Sequence, residues 1–259
     1  MSALLPDLSI TGIAFWAPGY DDPLKLETAD PAIKAPKAEL LPARLRRRCS
    51  LLTRMSAEVV ARASDQAEIE PSAATVILAS VYGEILTTGQ LLSMMTEDPS
   101  SALSPTRFHN SVHNTPIGYL SIATKNHTGS TAISAGSSTV AMALLEAATT
   151  VAAGEGPVVI ALVEEPLPEG LAPDGGVYDG LAVAFVVESR RDAGVAVRLT
   201  QTGAPEPLVE LPQSFAANPC ARAVAVAAAL LGDARMIPLE PTSSRSQAWL
   251  LEVEGRGGR

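Results

Sequence analysis

The sequence predicts an α/β fold, a mostly parallel sheet under helical cover, on three observations. The runs TVILASV (75–81) and GLAVAFVV (180–187) are almost wholly apolar, with no charged residue. Strands with both faces buried read that way, whereas half-exposed strands alternate. Segments of helical period lie between such runs, so strand and helix alternate along the chain. Hydrophobic residues make up 47% of the 259 residues but aromatics only 4%. The core must therefore come from Ala, Val, Leu and Ile, which suits sheets and helices in close contact.

Each element follows from a local signal. Leu8 to Phe15 reads as a strand that ends at the turn Ala17-Pro18-Gly19. Residues 18–42 are rich in Pro and Asp and read as a loop. Pro42 suits the first helical position of a helix running to about Gln66, with Leu51, Leu52, Met55, Val59 and Val60 at helical spacing. A strand at 75–81 precedes a helix at 84–95. Residues 109–127 read as one helix interrupted by Pro116 and Gly118. A short strand, Thr131 to Ala135, runs into an Ala-rich helix, Ser138 to Ala153. Pro157–Val163 and Gly180–Val187 are further buried strands. Beyond residue 188 the pattern thins to strands at 195–200, 236–239 and 248–253 and a helix at 220–231.

Composition narrows the function. The net charge is −9, which argues against general nucleic-acid binding, since that needs basic surface to displace phosphate counterions. No apolar run reaches the roughly 18 to 20 residues of a membrane span. The N-terminus lacks a basic segment followed by an apolar one, so no signal peptide is expected. Cys49 and Cys220 form neither a disulfide framework nor a metal-ligand spacing. A reducing cytoplasm is the expected setting, and no metal or cofactor is expected. Arg44, Arg46, Arg47 and Arg48, with Arg54 nearby, form a local basic run. It reads either as a solvated helix face or as a docking patch for an acidic partner.

The segment STAISAGSSTVAMALLEA (130–147) carries the strongest signal. A short strand passes through small residues directly into a helix. A side chain at such a turn sits at a helix N-terminus, where backbone N–H groups and the macrodipole favour negative charge. Several enzyme classes present a nucleophile this way. Ser137 is the residue suited to that place, though Ser137 or Ser138 equally serves as a plain helix cap. The glycine pattern of the α/β-hydrolase elbow is absent. A serine nucleophile needs a base. The histidines are His109, His113 and His127, all before the turn.

These residues resemble the β-ketoacyl synthase family of the thiolase fold. Ser104-Pro105, Asn114, Gly118, Leu120 and Ile122 look like the helix before the nucleophile in that family. The strand 130–135 and the turn follow, then GEGPVVIALVEE (154–165) and DGLAVAFVVES (179–189) in family order. Counting places Ser137 at the family's acyl-accepting cysteine; a one-residue shift places Gly136 there. SVYGEILTTGQLLSMM and SPTRFHNSVHNTPIG resemble a short subgroup encoded with aryl polyene pigment genes.

The resemblance implies a mixed five-stranded sheet with helical layers, a ketosynthase-like half over residues 1–190, and a truncated second half over 191–259 that completes the fold. The family condenses acyl units with a Cys and two His, and this chain lacks all three at matching positions. The implied role is that of a chain-length factor, a non-catalytic subunit forming a heterodimer with a catalytic ketosynthase, with acyl carrier protein as a further partner. The strand before the turn and the 109–127 helix would line the shared interface. Phe108, Val112, Asn114, Thr115, Gly118, Tyr119 and Ile133 are the candidate pocket or interface residues, and a core-packing role suits Phe108, Val112, Thr115 and Tyr119 equally. Arg44, Arg46, Arg47 and Arg48 are the candidates for carrier docking. The alternative is a serine-dependent acyl hydrolase or acyltransferase using Ser137, which requires His109 or His113 within hydrogen-bond reach.

Overall fold

The computed structural model describes residues 5–100, 102–172, 177–241 and 248–257. Its strands are β1 (Leu8–Trp16), β2 (Thr75–Ala79), β3 (Ser130–Ile133), β4 (Val158–Glu164), β5 (Leu181–Ser189), β6 (Val195–Thr200), β7 (Met236–Pro238) and β8 (Leu250–Arg256). The helices are α1 (Ala43–Arg46), α2 (Leu51–Ala67), α3 (Ile85–Glu97), α4 (Pro105–Asn110), α5 (Thr115–Thr124), α6 (Thr139–Ala152), α7 (Gln213–Ala216) and α8 (Ala221–Leu231).

The strands form one sheet in the order β3-β2-β4-β5-β1-β6-β8-β7. The first five strands of the chain make its mixed part. The sheet is not mostly parallel as expected: only β3, β2 and β4 are parallel, and β5 runs antiparallel to both β4 and β1. The sheet therefore has eight strands rather than the five expected. The reason lies in β1, whose second edge is open beside β5. Leu8–Ile10 pair there with Val195–Val197 of β6, and β8 and β7 extend the sheet antiparallel.

Alternation inside the apolar runs sorts their side chains to two faces. Leu181, Val183, Phe185 and Val187 of β5 pack with α6 and α8 on one face. Ala182, Ala184 and Val186 pack with α2 and α5 on the other. β4 divides likewise, with Val158, Ile160 and Leu162 opposite Val159, Ala161 and Val163. The result is a three-layer α/β/α body. Small residues on the sheet let α2 come close, and its Leu52, Met55, Val59 and Val60 are almost wholly removed from solvent. Each such side chain contributes about 1.5–3 kcal/mol of burial.

Two expected helices are split. The one expected from Pro42 to Gln66 breaks at Arg47–Cys49, because Ser50 caps α2 by accepting the Thr53 N–H at 3.0 Å. Pro42 caps only the four-residue α1. The 109–127 helix is two pieces. α4 ends at Asn110, and Pro116 lies in the first turn of α5, where its missing N–H costs nothing.

Candidate functional site

The C-terminal ends of parallel strands converge at one end of the sheet, the usual place for a site in such folds. Here β2 leads to Ser80–Glu84, β3 to Ser134–Ser138, and β4 ends in Glu164-Glu165. Antiparallel β5 enters from the same end, preceded by Tyr178.

The turn after β3 has Gly136 at its left-handed position, with φ +54°. That region disfavours a Cβ, so glycine is the residue suited to the apex. Ser137 is one residue further, in a single 3₁₀ turn (Gly136–Ser138) that leads into α6. The Ser137 side chain is exposed. Neither Ser137 nor Gly136 therefore combines the strained apex with a nucleophilic side chain. Ser138 donates to the Glu240 carboxylate, and Thr139 Oγ1 bridges the turn by accepting the Ala135 N–H at 3.0 Å and donating to the Gly136 carbonyl at 2.8 Å.

Among the described residues no imidazole is hydrogen-bonded to Ser137. His113 lies in the turn between α4 and α5, facing the backbone of Ile133 and Ser80. Burial pushes its pKa below the usual value, opposed by those backbone groups, and among the described residues its buried Nε2 has no hydrogen-bond partner. The packing is tight, since a Cβ at Gly83 (φ +63°) would lie 2.8 Å from His113 Nδ1. His109 on α4 and His127 beyond α5 are exposed.

A cavity of about 460 Å³ opens beside the turn. Val81 and Tyr82, Gly136 and Ser137, Leu208 and Leu211, and Asn218, Pro219, Ala221 and Arg222 contribute to its wall. Phe108, Val112, Thr115 and Tyr119 do not line it. Phe108 (62% exposed) and Val112 (44%) lie on the surface. Thr115 is buried and donates to the His109 carbonyl at 3.2 Å; Tyr119 is half-buried and donates to Asn110 Oδ1 at 2.9 Å. Asn114 and Gly118 line a separate cleft between α5 and β3 together with Ser130 and Thr131. Ile133 is half-buried at the end of β3 and packs on the α6 side of the core.

The arginines divide. Arg46 Nη1 donates to the Lys37 carbonyl at 2.8 Å and ties the preceding loop to α1. Arg44, Arg47 and Arg48 are exposed, and the Arg48 carbonyl accepts from Asn110 at 3.5 Å, which sets this turn against α4.

The residues that sequence reasoning missed are three buried glutamates. Glu164 Oε2 accepts from the Val81 N–H at 2.6 Å, the Tyr82 N–H at 3.2 Å and Ser80 Oγ at 3.2 Å. Glu165 accepts from the Leu86 N–H at 2.8 Å and the Leu52 N–H at 3.3 Å, in the first turns of α3 and α2, where the macrodipole favours an anion. Glu84 accepts from Ser50, Thr53 and Thr87 hydroxyls. Burial dominates their chemistry. It pushes Glu164 up to about 7 and Glu165 up to about 8, opposed by the backbone donors, and it raises Glu84 despite the hydroxyls. The signal was present as an acid pair closing a wholly apolar strand. Cys220 is fully buried beside Glu164 and its thiol is pushed far up, so it is unreactive.

Residues 22–249 match the family model "Beta-ketoacyl synthase, N-terminal domain". This chain belongs to the β-ketoacyl synthase family. Its fold is the thiolase-like ketosynthase fold. Solved structures that resemble it include the following. One is a ketosynthase (ApeO) in complex with its chain length factor (ApeC) from Xenorhabdus doucetiae, with a TM-score of 0.69 and 22% identity, covering 95% of this chain and 99% of that one. A β-ketoacyl synthase from Burkholderia phymatum STM815 has a TM-score of 0.56 and 15% identity, covering 77% of this chain and 65% of its own. The ishigamide ketosynthase/chain length factor has a TM-score of 0.57 and 16% identity, covering 75% and 67%. Comparison with curated proteins finds no match. Among the described residues no helix is long and apolar enough to cross a membrane, and no cluster of His, Cys, Asp or Glu is disposed to hold a metal ion.

Proposed function

We propose that this chain is a non-catalytic, chain-length-factor-type subunit that pairs with an active ketosynthase in polyene or fatty-acid-type biosynthesis. One observation carries the reading: the apex of the nucleophile turn is Gly136, with φ +54° and no side chain to accept an acyl group. Gly136, not Ser137, takes the place of the family's cysteine. The turn keeps its shape and loses its chemistry.

The surface supports a partner. Phe108 and Ile122 are 62% and 68% exposed, and Leu92 and Met95 on α3 are also exposed. β3 is an edge strand of the sheet, and an open edge offers backbone donors and acceptors to a second strand. Exposed apolar side chains and an open strand edge suit an obligate interface, which resembles a domain core. The exposed Arg44, Arg47 and Arg48 supply the docking patch for an acidic carrier protein. The subunit works in the cytoplasm, in an aryl polyene type pathway.

The test is co-expression with a full-length ketosynthase. The two chains should co-purify at fixed stoichiometry. After incubation with an acyl thioester, intact-mass measurement should find the acyl group on the ketosynthase alone. An adduct on Ser137 would replace the proposal with the acyltransferase alternative, and a stable monomer with no affinity for the ketosynthase would reject the pairing.

A further inference from the structure

We propose that the cavity beside the Gly136 turn binds an amphipathic monocarboxylate, its carboxylate on Arg222 and its apolar tail along Leu208, Leu211 and Ala225. This goes beyond the partner reading and does not rest on it, because the ligand is held by this chain alone and without a covalent bond.

The cavity has about 460 Å³, within the usual range for a small-molecule site. Such sites are mostly apolar with a few placed polar groups, and this wall fits that description. Leu208, Leu211, Ala225 and Val81 supply apolar surface, while Ser137 and Arg222 supply polar groups.

Arg222 is the unusual member. It is half-buried, and among the described residues it forms no ion pair. Among the described residues its one side-chain hydrogen bond is to the Pro238 carbonyl at 3.4 Å. Glu240, one residue before the lining Pro241, has both oxygens engaged elsewhere, on Ser138 Oγ and the Trp249 N–H. Arg222 is also the second residue of α8, where the macrodipole disfavours a cation. Burial draws its pKa below the ordinary guanidinium value. A half-desolvated cation, set against a helix N-terminus and facing an apolar cavity, gains most from an anion in that cavity. A planar carboxylate matches the guanidinium fork. The apolar wall then selects a carboxylate with a hydrocarbon tail over a small inorganic anion.

The test uses the full chain, in complex with its ketosynthase if it purifies so, with octanoate as the probe and octanol as its uncharged counterpart. Calorimetric titration at pH 7 should show octanoate binding about tenfold or more tighter than octanol, the scale of a charge-assisted hydrogen bond. Arg222→Gln should remove that preference, and Arg222→Lys should keep part of it. Ala225→Phe, which fills the cavity, should weaken both ligands. A photoreactive octanoate analogue gives a readout on the unaltered chain, independent of whether the variants fold. Its label should fall on the cavity wall, within 81–82, 136–137 or 208–225. Equal affinity for octanoate and octanol, a preference that survives Arg222→Gln, or labelling confined to other segments would overturn the proposal. Labelling only on the ketosynthase subunit would overturn it while leaving the pairing intact.

Discussion

Glu164 at the end of β4 accepts the Val81 N–H at 2.6 Å, and through that bond one strand holds the loop that leaves its neighbour. The Val81 carbonyl in turn accepts from Ser134 Oγ at 3.0 Å, so the same loop is tied to the turn after β3. The loop's Val81 and Tyr82 then form part of the cavity wall. A single buried carboxylate thus shapes the site without facing it.

That arrangement sets a pH dependence. Burial raises Glu164 to about 7 and Glu165 to about 8, from ordinary values near 4.5. The folded chain therefore holds these protons more tightly than the unfolded chain does. Their contribution is fully present below about pH 4.5 and is lost as pH rises through 7 to 8. For Glu164 the span is on the order of 3 kcal/mol. Glu164→Gln keeps a carbonyl oxygen for Val81 and has no charge to desolvate. Urea unfolding at pH 5.5 and pH 8.5 should show a smaller stability loss for the variant than for the parent. Equal losses would show that Glu164 does not titrate in this window.

The turn predicts a contrast between adjacent residues. Gly136→Ala puts a Cβ on a left-handed backbone and should cost about 1 kcal/mol, even though no atom lies within 4 Å of that Cβ. Ser137→Ala removes an exposed hydroxyl and should stay within about 0.5 kcal/mol. Chemical denaturation of the two variants separates them, and a larger loss at Ser137 would reverse the assignment of the apex.

Much of the fold was legible because buried strands announce themselves. Val195–Thr200 of β6 was placed to the residue, and β2, β4, β5 and α8 to within two. The break after Arg46 was not legible, since Ser50 caps through the geometry of the chain around it, whereas Pro116 signalled an interruption whose place, after Asn110, only the structure gives. The added strands β6 to β8 were seen as strands, but their joining the same sheet depends on three residue pairs between β1 and β6. At the site, the strand–turn–helix pattern of 130–147 is legible in the sequence. Which residue occupies its apex needed φ. Glu164 and Glu165 close the segment GEGPVVIALVEE and Glu84 opens a helix in the sequence reading, but their role depends on loops distant in sequence, such as Glu165 reaching Leu52.

The arginine turn yields a different contrast. Arg46 is committed to the Lys37 carbonyl, whereas Arg44, Arg47 and Arg48 are exposed. Reversing the exposed three to Glu should slow association with an acidic carrier protein, with an effect that shrinks as salt rises. Arg46→Ala should instead lower stability and leave the salt dependence unchanged. Stopped-flow binding at two ionic strengths checks both. A triple reversal that leaves the association rate unaltered would assign the run to a plain solvated surface.

The exposed apolar side chains of α4 and α5 give the sharpest test of pairing. Phe108 and Ile122 project from α4 and α5 with more than half their surface in solvent, an arrangement without benefit to an isolated chain. If a partner covers them, each is an apolar anchor, and a charge there would be buried unpaired on association. Phe108→Glu or Ile122→Glu should weaken the complex with the ketosynthase about a hundredfold or more, while the subunit's own unfolding midpoint stays near the parent's because neither side chain is in its core. Affinity measured by surface binding, alongside thermal unfolding of the free subunit, separates the two effects. If both variants bind like the parent, the interface lies on another face.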